Sequence, residues 1–234
     1  IWGACRDDWD TRYILMGRGA DLLPVGSNTQ ATISPKSSMK DLGKTPSRYN
    51  RDRHAVGIPE WSQHIASDAD LARWSREPDY GICVIAREVR AIDVDVPHAM
   101  AALMIRVFIE THLGAALPRR ERNNSGKFLL AFRLPGSMPK RVIKVEGGII
   151  EFLGTGQQFI AAGTHPSGVR YEWAGGLPED FPPLSADLFE SLWTALQERF
   201  AVAPAGDAKP ARESAGGPAV PLDRTVLAAA LDAI

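Results

Sequence analysis

Cysteine is scarce in this chain of 234 residues, which has only Cys5 and Cys83. Neither belongs to a Cys-x-x-Cys pair or a Cys/His cluster, which argues against a structural zinc site and suits a reducing compartment. No apolar run approaches the roughly 18 residues of a membrane span, and no signal-peptide pattern is present. Positive charge is not in excess either: the formal net charge is −1, so any affinity for nucleic acid has to come from local patches. There is no Gly-x-x-x-x-Gly-Lys-Ser/Thr phosphate loop and no Gly-x-Ser-x-Gly elbow, which argues against ATP hydrolysis on a phosphate loop and against a serine-triad hydrolase. What is present is ordinary globular composition, 44% apolar and 24% charged, sufficient for one large domain with a real core.

Three basic clusters supply the missing local charge. They are Lys36, Lys40, Lys44, Arg48, Arg51 and Arg53; then Arg119, Arg120, Arg122 and Lys127; then Lys140, Arg141 and Lys144. Each is equally compatible with a solvated face.

Turn and cap signals divide the chain. Residues 8–16 suit a short helix with Trp9, Tyr13 and Met16 as its apolar stripe. Residues 22–25 read as a strand at a sheet edge, because Pro24 has no N–H for a central ladder. Residues 26–53 are polar, basic and rich in Ser, Pro and Gly, and read as a long loop. Ser67 opens a helix whose Leu71 and Trp74 face inward. Residues 81–86 and 89–96 read as two strands joined into a hairpin at Arg87-Glu88. Pro97 suits a first helical position, and the apolar run from Met100 ends at the glycine cap Gly114. Strands follow at residues 127–133, 141–145 and 149–153, the last two turning at Gly147-Gly148. A further hairpin is expected from residues 157–162 and 169–173. Ser185 caps a last helix with Leu188, Leu192, Trp193, Leu196 and Phe200 as its stripe. The domain is expected over residues 1–200, a flexible linker over 201–221, and the start of a helical domain, cut short, over 222–234. The chain opens on Ile1 rather than Met, so it reads as a piece of something longer.

The stretch that organises the rest is Ala91-Ile92-Asp93-Val94-Asp95-Val96. Side chains alternate along a strand, so Asp93 and Asp95 share one face and Ile92, Val94 and Val96 the other. Two carboxylates roughly 6–7 Å apart repel by about 1–3 kcal/mol, a cost that a divalent cation would turn into binding. A solvated strand face, a nucleotide-sugar transferase and a two-metal nuclease are each compatible with Asp-x-Asp alone. Two more stations follow. Arg122-Asn123-Asn124-Ser125-Gly126-Lys127 is a basic turn entering a strand, able to hold phosphate or simply to face solvent. Glu151 lies in the apolar strand Ile149-Ile150-Glu151-Phe152-Leu153, where a charge needs a partner, either a metal or an arginine. His165, on a Gly/Pro/Ser turn with Gln158 upstream, is a fourth candidate.

The order of these stations resembles the bifunctional primase-polymerase domain of the archaeo-eukaryotic primase superfamily, as found in replication proteins of phages and other mobile elements. The resemblance runs from Leu22-Leu23-Pro24-Val25 through Gly43-Lys44-Thr45-Pro46, the Asp-x-Asp strand, Ser125-Gly126-Lys127 and Ile150-Glu151-Phe152-Leu153-Gly154-Thr155-Gly156-Gln157-Gln158-Phe159 to Gly163-Thr164-His165-Pro166-Ser167-Gly168. It implies an α+β fold with an RRM-like antiparallel sheet, flanking helices and an N-terminal α/β elaboration. It implies metal ligation, by Mg²⁺ or Mn²⁺, at Asp93, Asp95 and Glu151. Ser125, Lys127, His165 and Gln158 would face the nucleotide, and Arg119, Arg120, Arg122 and Lys44 the DNA. Lys127 stands where the family's Ser-x-His motif carries histidine, and lysine lacks the imidazole's geometry and its titration near neutrality.

The activity implied is template-dependent nucleotidyl transfer, priming and polymerising on single-stranded DNA from dNTP or NTP. The setting implied is a soluble replication protein in the cytoplasm of a bacterial host, with helical and helicase regions further along. A module that binds single-stranded DNA or an origin without catalysis is the competing expectation.

Overall fold

The computed structural model of the protein describes residues 2–12, 19–177 and 180–202. The expected linker from residue 203 and the helical start at 222–234 lie outside the described residues, as do Tyr13 and Met16. Among the described residues no helix is long and apolar enough to cross a membrane.

Two antiparallel sheets carry the architecture. The smaller has the order β1-β4-β10, from β1 (Leu22–Gly26), β4 (Tyr80–Ile85) and β10 (Gln158–Ala162). β1 is at the edge, where its proline belongs. The larger has the order β11-β6-β7-β5-β9-β8. Its members are β5 (Val89–Asp95), β6 (Arg119–Glu121), β7 (Phe128–Arg133), β8 (Arg141–Val145), β9 (Gly148–Leu153) and β11 (Glu172–Trp173).

β5 is the partition between two cores. Ile92, Val94 and Val96 face α2 (Ala99–Leu113) and α3 (Ala186–Phe200), packing with Ile105, Ile109, Phe189 and Leu192. Ala91, on the opposite face, joins Leu129, Ala131 and Leu153 against Cys83, Val84 and Phe159 of the smaller sheet. Asp93 and Asp95 continue that second face beyond the point where apolar cover ends. Ahead of this core, Trp9 sits in a π-helical turn, Asp8–Arg12, and packs on Trp74 at the end of α1 (Asp68–Trp74), ring centroids 6.2 Å apart. Ser67 caps α1 as expected: its Oγ accepts from the Asp70 N–H and Asp70 Oδ2 accepts from the Ser67 N–H.

Several expectations need correcting. β4 and β5 are not a hairpin; they lie in different sheets. All six residues of β4 are buried, so the strand needs apolar cover on both faces and neighbours on both edges. β1 and β10 fill those edges, while β7 and β9 take the edges of β5. The chain crosses between sheets at Ala86-Arg87-Glu88. Arg90, 1% exposed, fastens the crossing by donating to the carbonyls of Ala86, Leu134 and Gly136.

Residues 157–162 and 169–173 likewise find separate partners: β10 pairs with β4, β11 pairs with β6, and one bridge, Thr164 to Arg170, links the two segments. The long loop contains β2 (Ser47–Tyr49), which pairs with β3 (Ala55–Gly57). Pro97 precedes the cap of α2 and does not occupy its first turn; the imidazole Nδ1 of His98 accepts from the Ala101 N–H. The β8–β9 turn is Glu146-Gly147, with Gly147 at φ 70° and Gly148 already in the strand. On α3 the buried stripe begins at Phe189, fully buried, whereas Leu188 is 37% exposed.

Candidate active site

Strand register brings the acids together. Asp93 pairs directly with Glu151 on β9 on one side and with Leu129 on β7 on the other, and Leu129 pairs in turn with Arg120 on β6. One row across the sheet therefore reads Arg120, Leu129, Asp93, Glu151. Asp95, two residues along, shares the face. Lys127, just before β7, forms an ion pair with Asp95, and Lys140 Nζ lies 2.6 Å from Glu151 Oε1. Asp93, between these pairs, has no ion pair of its own among the described residues. Burial pushes its carboxyl above the ordinary carboxylate value; Arg120 opposes the shift, and Asp95 and Glu151 add to it.

These side chains line a cleft of about 350 Å³ between the two sheets. Five cations share it with the acids: Lys44, Arg120, Arg122, Lys127 and Lys140. Arg120 is fixed in place, since its Nη1 donates to the Ile160 carbonyl at 2.5 Å and its guanidinium lies 4.5 Å from the Tyr171 ring centre.

His165 reaches the cleft from the turn after β10. Arg122 Nη1 lies 2.8 Å from its Nδ1, and the Ser167 N–H points to the same atom at 3.0 Å. A guanidinium only donates, so Nδ1 is the acceptor and the neutral ring carries its proton on Nε2. Burial first, and then Arg122, Lys44, Arg120 and Lys127, push the imidazole pKa down to about 4. His165 should therefore keep its neutral, Nε2-protonated form from neutral pH down to about pH 5. Ring ¹⁵N shifts recorded through a pH titration check this, and a midpoint at the ordinary histidine value would refute it.

Of the residues singled out by sequence, Asp93, Asp95, Glu151, Lys127, His165, Gln158, Arg120, Arg122 and Lys44 all line the cleft. Gln158 is engaged at both ends of its amide: Nε2 donates to the Lys44 carbonyl at 2.8 Å and Oε1 accepts from the Cys83 thiol. It holds the Lys44 loop against the sheet. Arg119 and Ser125 are not brought to the cleft. Arg119 projects from the other face of β6, paired with Glu121 at 2.8 Å, and lines a separate depression near the start of α2 together with Ser125. Ser125 Oγ accepts from the Lys127 N–H, which shapes the turn that delivers the lysine.

Sequence reasoning missed Lys140 and Tyr171 as cleft residues. Lys140 had a usable signal. A hairpin turning at Glu146-Gly147 sets Val142 opposite Glu151, and Lys140, two residues upstream, falls on the same face. Tyr171, whose ring meets His165 edge-on at 5.7 Å, had none beyond being aromatic.

Among the described residues no three His, Cys, Asp or Glu side chains are gathered as a ready metal cage. The donor set nonetheless fits a hard cation: three carboxylates and no nitrogen or sulfur, two of them neutralised by lysine and the third held in a partly buried position that disfavours its charge.

A search among curated proteins finds no match to the chain. The family model described as bifunctional DNA primase/polymerase, N-terminal, matches residues 13–186, and the α+β architecture with its antiparallel sheets agrees with it. That match covers most of the chain, from before β1 to the start of α3, and includes every residue of the cleft; the chain belongs to the Prim-Pol family of bifunctional DNA primase/polymerase N-terminal domains, whose partners are a DNA template and nucleotide substrates.

Proposed function

We propose that this cleft performs template-dependent nucleotidyl transfer, joining an incoming nucleotide to a 3′-hydroxyl, with Asp93, Asp95 and Glu151 as the ligands of Mg²⁺ or Mn²⁺. One observation carries the reading: Asp93 and Glu151 face each other across adjacent strands, with Asp95 beside them, in a cleft that also holds five cations against one further carboxylate, Glu121. A divalent cation held there supplies Lewis-acid activation of the hydroxyl and charge neutralisation at the reacting phosphate.

The chain's own residues do the rest. Lys127 and Lys140 neutralise Asp95 and Glu151, and become available to phosphate oxygens once the carboxylates are otherwise engaged. Arg122 and Lys44 add positive charge along the triphosphate. His165 supplies an N–H from its Nε2, an imidazole provided by a different element from the Ser-x-His motif, and Lys127 fills the motif's own place as a point charge. Binding of a triphosphate should raise the His165 pKa from about 4, because an anion stabilises the imidazolium. The wider setting, a phage or mobile-element replication protein with helical and helicase regions beyond this domain, is supported by the resemblance of the ordered motifs.

The test is extension of a labelled primer on a single-stranded template, and synthesis without a primer, with Mg²⁺ or Mn²⁺ and with a chelator. Extension that needs the metal supports the proposal. Binding of single-stranded DNA without metal-dependent nucleotide binding or product would replace it with a non-catalytic binding module.

A further inference from the structure

Apart from Lys44, which lines the catalytic cleft, the first basic cluster lies outside it and adjoins it. Residues 36–53 hold six Lys or Arg against two Asp, a local charge of +4 in a chain whose net charge is −1. They form the loop after β1 and the β2–β3 hairpin, and all six cations are exposed. Two grooves open on this surface. One, of about 610 Å³, is lined by Lys36, Lys40, Lys44 and Trp61. The other, of about 590 Å³, is lined by Arg48, Arg51, Arg53, Arg73, Tyr49 and Trp74. Lys44 lines both the first groove and the catalytic cleft, and Val56 lines both grooves. Each successive pair shares a lining residue, so the three depressions adjoin as a track.

Its charge is largely uncommitted. Arg53 is tied to Glu77, with Arg53 4.3 Å from the Tyr49 ring centre, and Arg73 is tied to Asp70. Lys36, Lys40, Arg48 and Arg51 form no ion pair among the described residues. A partly exposed ring, Trp61, lies among the cations of the first groove; in the second, Tyr49 is stacked on Tyr80 with centroids 5.5 Å apart and carries Arg53 over its ring. Unpaired cations spaced along a groove beside an accessible ring, Trp61, suit a single strand, whose phosphates and unstacked bases are both free to bind; a duplex presents only its backbone to such a surface.

We infer that this track binds single-stranded DNA and leads the template to the cleft at Lys44. The term template rests on the nucleotidyl-transfer reading; the binding itself does not. Arg119, Arg120 and Arg122 of the second basic cluster are engaged with Glu121, Ile160 and His165 and contribute to the cleft or to the opposite face.

The experiment compares the protein with a Lys36→Ala/Lys40→Ala/Arg48→Ala/Arg51→Ala variant, by fluorescence anisotropy of a labelled oligothymidylate without nucleotide or metal, over a range of salt. All four side chains are exposed, so folding should be unaffected, and a thermal melt checks it. The expected result is a loss of affinity of about tenfold or more at low salt, and a log–log salt slope shallower by about 0.7 for each phosphate contact removed. Binding of dNTP with Mn²⁺ should be unchanged. An unchanged affinity and slope would overturn the inference, as would equal competition by duplex DNA of the same length. If Asp93→Asn still extends primers while the quadruple variant loses DNA binding, the active-site reading fails and the track stands.

Discussion

Asp93→Asn is expected to lower primer extension by about a thousandfold or more, which corresponds to about 4 kcal/mol of transition-state stabilisation. Asparagine keeps the shape of the side chain and removes its charge. Asp95 and Glu151 each have a lysine partner, but Asp93 lies between them without one, so its charge is the one most plainly held for something outside the chain. The same substitution should not cost stability. Burial raises the Asp93 pKa above that of the unfolded chain, so the ionised form disfavours the fold, and stability falls as pH rises through the ordinary carboxylate range toward the raised value. Removing the charge removes that cost. A melting temperature equal to or above wild type, together with absent product on a gel, is the expected pair of results. Activity within about tenfold of wild type would take Asp93 out of the reaction.

Phe189→Ala is expected to destabilise the domain by about 3–5 kcal/mol, and Leu188→Ala by no more than about 0.5 kcal/mol. The neighbours differ in phase on α3. The Phe189 ring is fully buried, with its centroid 4.3 Å from that of Phe152 and 6.0 Å from that of Trp193, whereas Leu188 is 37% exposed. Urea unfolding of the two variants reads the difference directly. Equal losses would mean that the helix is rotated from the described position. Because Phe152 adjoins Glu151 on β9, the first variant should also lower activity in proportion to its loosened packing.

How much of this was legible in the sequence depends on how local each feature is. The shared face of Asp93 and Asp95 follows from a period of two and needs no tertiary knowledge, and α1 with its Ser67 cap is equally local. The same period would have separated Arg119 from Arg120, which a count of basic residues lumped together. Strand partners were not legible where the strands are apolar on both faces. β4 and β5 are three residues apart in sequence, and nothing in either marks the edge to which the other should bond. Phe189 was missed because Leu188 also fits a helical spacing to Leu192, and only the companion residues Trp193, Leu196 and Phe200 distinguish the two phases. The place of His165 beside Arg122 depends on a 43-residue separation that no local pattern encodes.

The crossing at Ala86-Arg87-Glu88 has a consequence for timing. Three residues of which the first, Ala86, gives its carbonyl to the buried Arg90 guanidinium make a poor hinge: parting the sheets there would orphan that bond, at about 1–3 kcal/mol, and would open the apolar core that the two sheets share. The slot between the sheets is therefore of nearly constant width. Admission of a nucleotide then falls to exposed or half-exposed side chains such as Lys127 and Lys140, 36% and 42% exposed. Such groups change rotamer in picoseconds to nanoseconds, whereas domain closure takes microseconds to milliseconds. Substrate entry in this domain should show no slow conformational phase, and the clock of each cycle is set by chemistry or by movement of the DNA.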